Sequence, residues 1–168
     1  MLQFAVLHLF PFITIPIFTR ILSPKEYGIL ALALIYAIFM TGLANLGTTL
    51  AFERNFFQYS KNTDKLAKLL YTSLTFVIGN FIVLAVLTFL FSDKLSFLLT
   101  KSTDYAMFIF WTFVSRFFYN TINQFYFVYY KNAEKAKTYT KYRILGGMLN
   151  FMLSVFLVAY LRVGIIGI

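Results

Sequence analysis

Met107–Phe127 reads MFIFWTFVSRFFYNTINQFYF, an aromatic-rich apolar run with a single arginine, Arg116, near its middle. At 1.5 Å per residue, a run of about 20 residues spans the ~30 Å hydrocarbon layer of a bilayer. Thr112, Arg116, Asn120, Asn123, Gln124 and Phe127 recur at helical spacing, so the polar members fall on one stripe. On a membrane-insertion scale, about ten Leu, Ile, Phe and Val residues contribute roughly −3 to −6 kcal/mol. An Arg at the centre costs about 2.5–3.5 kcal/mol, and the amides add to that. The sum is close to zero. The helix is therefore expected to need neighbours, or a wet cavity, for its polar face.

The rest of the chain supplies candidates for those neighbours. Hydrophobic residues are 60 % of the 168 and charged residues 12 %, with a mean hydropathy of +0.76. A soluble domain is nearer about 45–50 % apolar and ~25 % charged. The balance predicts an integral membrane protein: an all-α, polytopic transmembrane helix bundle occupying residues 1–168, without a second domain. Spans are expected over 2–19, 24–52, 70–91, 105–127 and 144–161, and 162–168 reads as a loop entering a sixth. There is no cysteine, which excludes a disulfide framework and a thiolate metal site.

The formal net charge of +9 would suit nucleic acid, but its placement does not. The basic residues lie mostly in short connections between apolar runs, where anionic lipid headgroups and the positive-inside effect account for them. Segments 53–69 and 129–143 together hold nine Lys or Arg, against five for the other connections and the C-terminal segment. That asymmetry places the N-terminus in the cytoplasm and the turn around Ser23–Glu26 on the far side. No Lys or Arg precedes the first apolar run and no small-residue cleavage site follows it, so a cleavable signal peptide is not expected.

Local punctuation refines the spans. Pro11 and Pro16 lie within the first run, where neighbouring helices can satisfy the freed carbonyls. His8, also there, is the only histidine. With no Cys, Asp or Glu near it in sequence, it suits packing or a hydrogen bond better than a proton relay. Ser23, Pro24 and Glu26 fit the N-cap, N1 and N3 positions of a capping box, which starts a helix expected to run to about Phe52. Within it Thr41, Asn45, Thr48 and Thr49 form a second polar stripe, and Gly42 and Gly47 permit close helix contact. Residues 55–69, 92–104 and 129–143 read as polar loops. Gly79 and Asn80 sit near the middle of the third span, and Gly146, Gly147, Asn150 and Ser154 along the last.

The first connection carries a recognisable pattern. A span ending in Pro-x-x-Thr-Arg-x-Leu-Ser-Pro-x-Glu-Tyr-Gly, then an apolar helix, Leu-Gly and Arg, resembles the opening of Wzx-like oligosaccharide and O-antigen flippases of the MOP superfamily. Those proteins are related to MATE antiporters and the lipid II flippase. The matching residues are Pro16, Thr19, Arg20, Leu22, Ser23, Pro24, Glu26, Tyr27, Gly28, Leu46, Gly47 and Arg54. The first-loop signature is specific, Leu-Gly with Arg54 is weak alone, and the later helices match in order and length only.

The resemblance implies the N-terminal lobe of a MOP/MATE-like transporter in the bacterial inner membrane, with the same orientation as the loop charges give. It also implies a function, flipping undecaprenyl-pyrophosphate-linked oligosaccharide for lipopolysaccharide and other surface polysaccharides, through a cavity between two lobes. The chain lacks the usual second lobe, so it is expected to be a fragment of a longer protein, inactive alone or completed by a partner or by polysaccharide assembly proteins.

No catalytic constellation is visible: no second His, and no pair of carboxylates within one span. The chain is not expected to be an enzyme, or to hold a metal or cofactor. The candidate substrate-binding residues are Arg116, Asn120, Asn123, Gln124, Asn45 and Arg54. An intramembrane arginine is a site candidate in its own right, since guanidinium keeps its charge and binds phosphate oxygens bidentately. Against that stands packing alone, with Arg116 reaching backbone carbonyls or the nearby amides. Asn120, Asn123 and Gln124 suit sugar hydroxyls or inter-helix hydrogen bonds, and Asn45 and Asn80 lean to the latter. Arg54 could attract an anionic lipid-linked substrate or anchor its helix at lipid headgroups. The 22 Phe and 12 Tyr suit lipid-facing surfaces and interfacial belts.

Two other classes share these features. A MATE-like small-molecule antiporter would carry an acidic residue inside a span, and none of the six Asp and Glu lies mid-span. A non-transporting scaffold of a polysaccharide assembly complex would tolerate loss of Arg116.

Overall fold

The computed structural model describes residues 23–155, with the backbone alone at positions 122, 136, 150, 151 and 153–155. Among the described residues all regular structure is helical, in the order α1 (Pro24–Asn45), α2 (Thr48–Tyr59), α3 (Thr63–Leu90), α4 (Ser92–Thr100), α5 (Ala106–Asn132) and α6 (Ala136–Val155). The fold class is all-α, as the sequence predicts. Residues 2–19 with His8, the Pro16–Leu22 part of the first-loop pattern, and everything from position 156 on lie outside the described residues.

The start of α1 follows from its first four residues. The Ser23 N–H and hydroxyl both donate to Glu26 Oε2 at 2.8 Å, and the Glu26 N–H returns to Ser23 Oγ at 3.3 Å. Three polar groups are thereby satisfied ahead of the apolar run, with Pro24 at the position that needs no N–H.

Two compact units divide the chain. One contains, among its described residues, the first turns of α1 to Ala31 and all of α6. There the Arg143 guanidinium donates to the Tyr139 hydroxyl one turn earlier and lies over the same ring.

The other unit runs from Leu32 to Lys135 and holds the core. Small residues on α1, Ala33, Ala37, Thr41 and Ala44, are buried at helical spacing. Against them stands an aromatic ridge on α5: Ile109, Phe113, Phe117, Thr121 and Phe125, all buried. Phe81 of α3 stacks on Phe117, with centroids 3.8 Å apart and planes 9° from parallel, and meets Phe113 at a tilt. Tyr36 of α1 meets Phe113 edge-on, and its hydroxyl is 2.7 Å from Thr88 Oγ1 on α3. These pairs fix direction. Phe81–Phe117 with Phe89–Phe110 makes α3 and α5 antiparallel; Phe52–Phe125 with Phe56–Tyr129 makes α2 and α5 parallel.

Two of the described helices, α1 and α3, are long and apolar enough to cross a membrane. α5 is longer than α1 but has Arg116 and three amides in its middle, which lower its apolar balance as the insertion arithmetic anticipates.

Four segments differ from the sequence-based expectation. The helix expected over 24–52 is interrupted: α1 stops at Asn45, Leu46 (φ 45°) and Gly47 (φ 74°) both adopt left-handed backbone, and α2 starts at Thr48. Two consecutive left-handed residues cannot continue a right-handed helix. The basic loop expected over 55–69 is instead the end of α2, a turn at positions 60–62 and the first turns of α3, because its charges sit on helical surfaces. The loop expected over 92–104 contains α4, closed by Lys101 at φ 59° and tied down by Ser96, whose hydroxyl donates to the Ser102 carbonyl at 2.6 Å. Likewise most of 129–143 is helical, in α5 and α6.

Candidate functional site

The sequence places four of the six candidate residues, Arg116, Asn120, Asn123 and Gln124, on one stripe of α5, and the structure shows how that stripe is set. Thr112, Arg116, Asn120 and Gln124 each precede a ridge residue, Phe113, Phe117, Thr121 and Phe125. One residue is about 100° of helical rotation, so the stripe flanks the packed ridge rather than facing it. Thr112, Arg116, Asn120 and Asn123 are half-buried and Gln124 is exposed.

Among the described residues Arg116 is one of four with a buried side-chain polar atom that the protein itself does not satisfy, and the only charged one of the four. Its Nε is buried without a hydrogen-bond partner, and among the described residues the guanidinium has no ion pair. Among the described residues Arg116 makes no hydrogen bond to a backbone carbonyl or to the nearby amides. An unpaired buried polar atom costs about 1–3 kcal/mol, more when charged. Such a group persists where water or a ligand can reach its neighbouring nitrogens. On the same helix Thr121 Oγ1 is buried and unpartnered, and on α1 so is Thr41 Oγ1. Thr112, by contrast, is closed on itself, its hydroxyl donating to the Phe108 carbonyl at 2.7 Å.

The amides divide into two kinds. Asn123 donates to the Tyr119 carbonyl of its own helix at 2.6 Å, whereas Asn120 makes no hydrogen bond. Gln124 and Asn45, distant in sequence, come together: Asn45 Nδ2 lies 3.4 Å from Gln124 Oε1. Asn45 also spans the break in the helix. Its Oδ1 accepts the Thr49 N–H at 3.0 Å and its Nδ2 donates to Thr49 Oγ1 at 2.7 Å. Asn80 Nδ2 of α3 donates to the Ala44 carbonyl, which the break leaves without its helical partner, at 3.2 Å. Asn45, Thr49, Asn80 and Gln124 thus form a polar knot around the interruption. Asn80 and Asn45 were expected to lean to inter-helix hydrogen bonds; Asn80 makes one to Ala44, and Asn45 bonds to Thr49 in the first turn of α2 and to Gln124 of α5. No signal in the sequence marked the knot, because Leu-Gly inside an apolar run also reads as ordinary small-residue packing.

Arg54 stands apart from this group. It is exposed on α2, whose buried face is Phe52 and Phe56. Its neighbour Glu53 pairs with Lys131 of α5, Nζ to Oε1 at 2.6 Å. The structure therefore brings Asn45 of α1 and Gln124 of α5 together, aligns Arg116 and Asn120 with Gln124 on α5, and leaves Arg54 on the exposed side of α2. No cluster of three or more His, Cys, Asp or Glu that could hold a metal occurs among the described residues.

Comparison with protein families gives a match to the model described as "Polysaccharide biosynthesis protein" over residues 3–167. Comparison with curated proteins and with solved structures gives no match.

Proposed function

The chain belongs to the polysaccharide biosynthesis protein family, and from that premise we propose that it forms one lobe of a flippase for undecaprenyl-pyrophosphate-linked oligosaccharide. The family gives a role in polysaccharide synthesis or export, and α1 and α3 give a membrane setting. The observation that carries the finer reading is Arg116: a permanently charged group in the middle of a 27-residue helix, with Nε buried and no partner. A pyrophosphate supplies the missing acceptors, because its oxygens match the guanidinium fork. Asn120 and Gln124, within one or two turns along the same stripe, offer amides to sugar hydroxyls, while the polyprenyl tail remains in the bilayer. A second lobe faces this one across the cavity, and rocking of one against the other moves the headgroup. In this scheme the bacterial inner membrane holds the chain with its N-terminus in the cytoplasm, and the protein performs no covalent chemistry.

The test is substitution of Arg116 in the native genetic setting, scoring surface polysaccharide and lipid-linked oligosaccharide retained in the cytoplasmic leaflet. Arg116→Ala is expected to abolish surface polysaccharide at normal protein level, and Arg116→Lys, which keeps the charge but loses the fork, to restore part of it. Normal transport by Arg116→Ala would overturn the assignment and favour a scaffold.

A further inference from the structure

Among the described residues, the least explained surface is the outer side of α2. Phe52 and Phe56 turn inward onto Phe125 and Tyr129. Leu50, Arg54 and Phe57, at helical spacing on the opposite side, turn outward, with Leu50 and Phe57 both 65 % exposed. Lys61 in the following turn and Lys65 and Lys68 on the first turns of α3 are also exposed. Glu53 is engaged by Lys131, which leaves Asp64 as the one acid facing four cations over residues 54–68. Among the described residues neither Arg54 nor any of these three lysines has an ion pair.

Depth follows from the hairpin. α3 is free of charge from Leu69 to Leu90, a length that matches the ~30 Å hydrocarbon layer, so Lys68 marks the boundary. α2 runs antiparallel to α3 through a turn at 60–62, and Arg54 lies as far before Lys61 as Lys68 lies after it. Arg54 and Lys68 are therefore level, with Leu50 toward the acyl chains and Phe57 toward the headgroups. An apolar anchor, a cation at the boundary, then an aromatic and more cations is the order of chemistry met on leaving a bilayer.

We propose that the outer face of α2, Leu50, Arg54 and Phe57, with Lys61, Lys65 and Lys68 beside it, docks on anionic phospholipid headgroups at the membrane surface. Arg54 binds a lipid phosphate while Leu50 and Phe57 contact acyl chains and glycerol. The proposal rests on α3 crossing a bilayer and is independent of which substrate the protein moves.

The chain contains a single tryptophan, Trp111, on the exposed side of α5, which permits a direct test. Phe57→Trp in a Trp111→Phe background moves the only indole to the proposed surface. The full chain is reconstituted in phosphatidylcholine vesicles containing brominated phosphatidylglycerol or, at the same mole fraction, brominated phosphatidylcholine.

The brominated anionic lipid is expected to quench the relocated indole several-fold more strongly. Each cation at such a surface is worth roughly a fivefold preference at low ionic strength. Arg54→Gln with Lys61→Gln and Lys65→Gln is expected to bring the ratio close to unity, while Arg54→Lys alone keeps it. Equal quenching by the two lipids overturns the proposal, and so does an indole reached by aqueous iodide but not by lipid. The unaltered chain supplies the control. Quenching of Trp111 by both lipids together with either of those results leaves the membrane reading standing and removes only the docking surface. Failure of Trp111 to be quenched removes both.

Discussion

At the scale of single residues, the break after α1 separates two effects that a glycine can have. Gly42 and Gly47 both have open space where a Cβ would go, with nothing within 4 Å, so neither is required by packing within the chain. They differ in backbone: Gly47 has φ 74°, and no positive φ is found at Gly42. A Cβ in left-handed backbone costs about 1–2 kcal/mol, whereas Gly to Ala inside a helix gains roughly 0.5–1 kcal/mol. Gly47→Ala is therefore expected to lower the thermal stability of the purified chain in detergent, and Gly42→Ala to leave it unchanged or raise it. Equal effects from the two would show that the left-handed turn does not persist in solution. Leu46 already tolerates φ 45° with a full side chain, held by the Asn45 clamp on Thr49 and by the Asn80 bond to Ala44. Asn80→Leu is expected to destabilise the chain by about 1–2 kcal/mol in the same assay, because it strips the one side chain that satisfies that carbonyl.

At the scale of elements, the ends of α2 and α5 are joined by the Glu53–Lys131 ion pair, which looks strong by distance and is weak by setting. The lysine side chain is 60 % exposed and the glutamate 31 %. Exposed pairs contribute about 0–1 kcal/mol and are screened by salt. Glu53→Gln is expected to shift stability by less than about 1 kcal/mol, with the shift vanishing at high ionic strength; a large, salt-independent loss would mean the pair is dry.

What holds these elements together is the aromatic ridge, whose Phe113, Phe117 and Phe125 are buried in the core although the sequence reading assigned the aromatics to lipid-facing surfaces and interfacial belts. The density of Phe between 108 and 127, and the 3.6-residue spacing of polar against apolar positions, announced α5 and the setting of Arg116. The capping box at Ser23–Glu26 was likewise readable, since it needs only local residues. The interruption at Leu46–Gly47 was not. Asn80 and Gln124, whose side chains bond to Ala44 and Asn45 beside it, are remote in sequence and meet it only after folding. The loops expected at 55–69 and 92–104 failed for a related reason: charge marks the water side of a membrane protein but says nothing about whether the backbone there is helical. For the site, the sequence reading found the stripe but could not separate Asn123, consumed by its own helix, from Asn120, which is free.

At the scale of the molecule, the open matter is which face of each helix pair meets which side of the membrane, and the absence of cysteine makes it directly measurable. The charge asymmetry puts Lys61 and Lys135, at the turns between α2 and α3 and between α5 and α6, in the cytoplasm. It puts Lys25, in the first turn of α1, and Lys101, just after α4, on the opposite side. All four side chains are exposed, so each can be replaced by cysteine without disturbing the core. Under the flippase reading, a membrane-impermeant maleimide added to spheroplasts is expected to label Lys25→Cys and Lys101→Cys. Lys61→Cys and Lys135→Cys are expected to react only after permeabilisation or in inverted vesicles. The parallel run of α2 with α5, and the antiparallel run of α3, require 61 and 135 to share one side whatever the absolute orientation. Labelling of 61 and 135 from opposite sides would therefore contradict the helix packing itself. Reversal of all four together would leave the packing intact and invert the orientation. In that case the basic face of α2 would meet the outer leaflet, and Arg116 would be approached by substrate from the other end of α5.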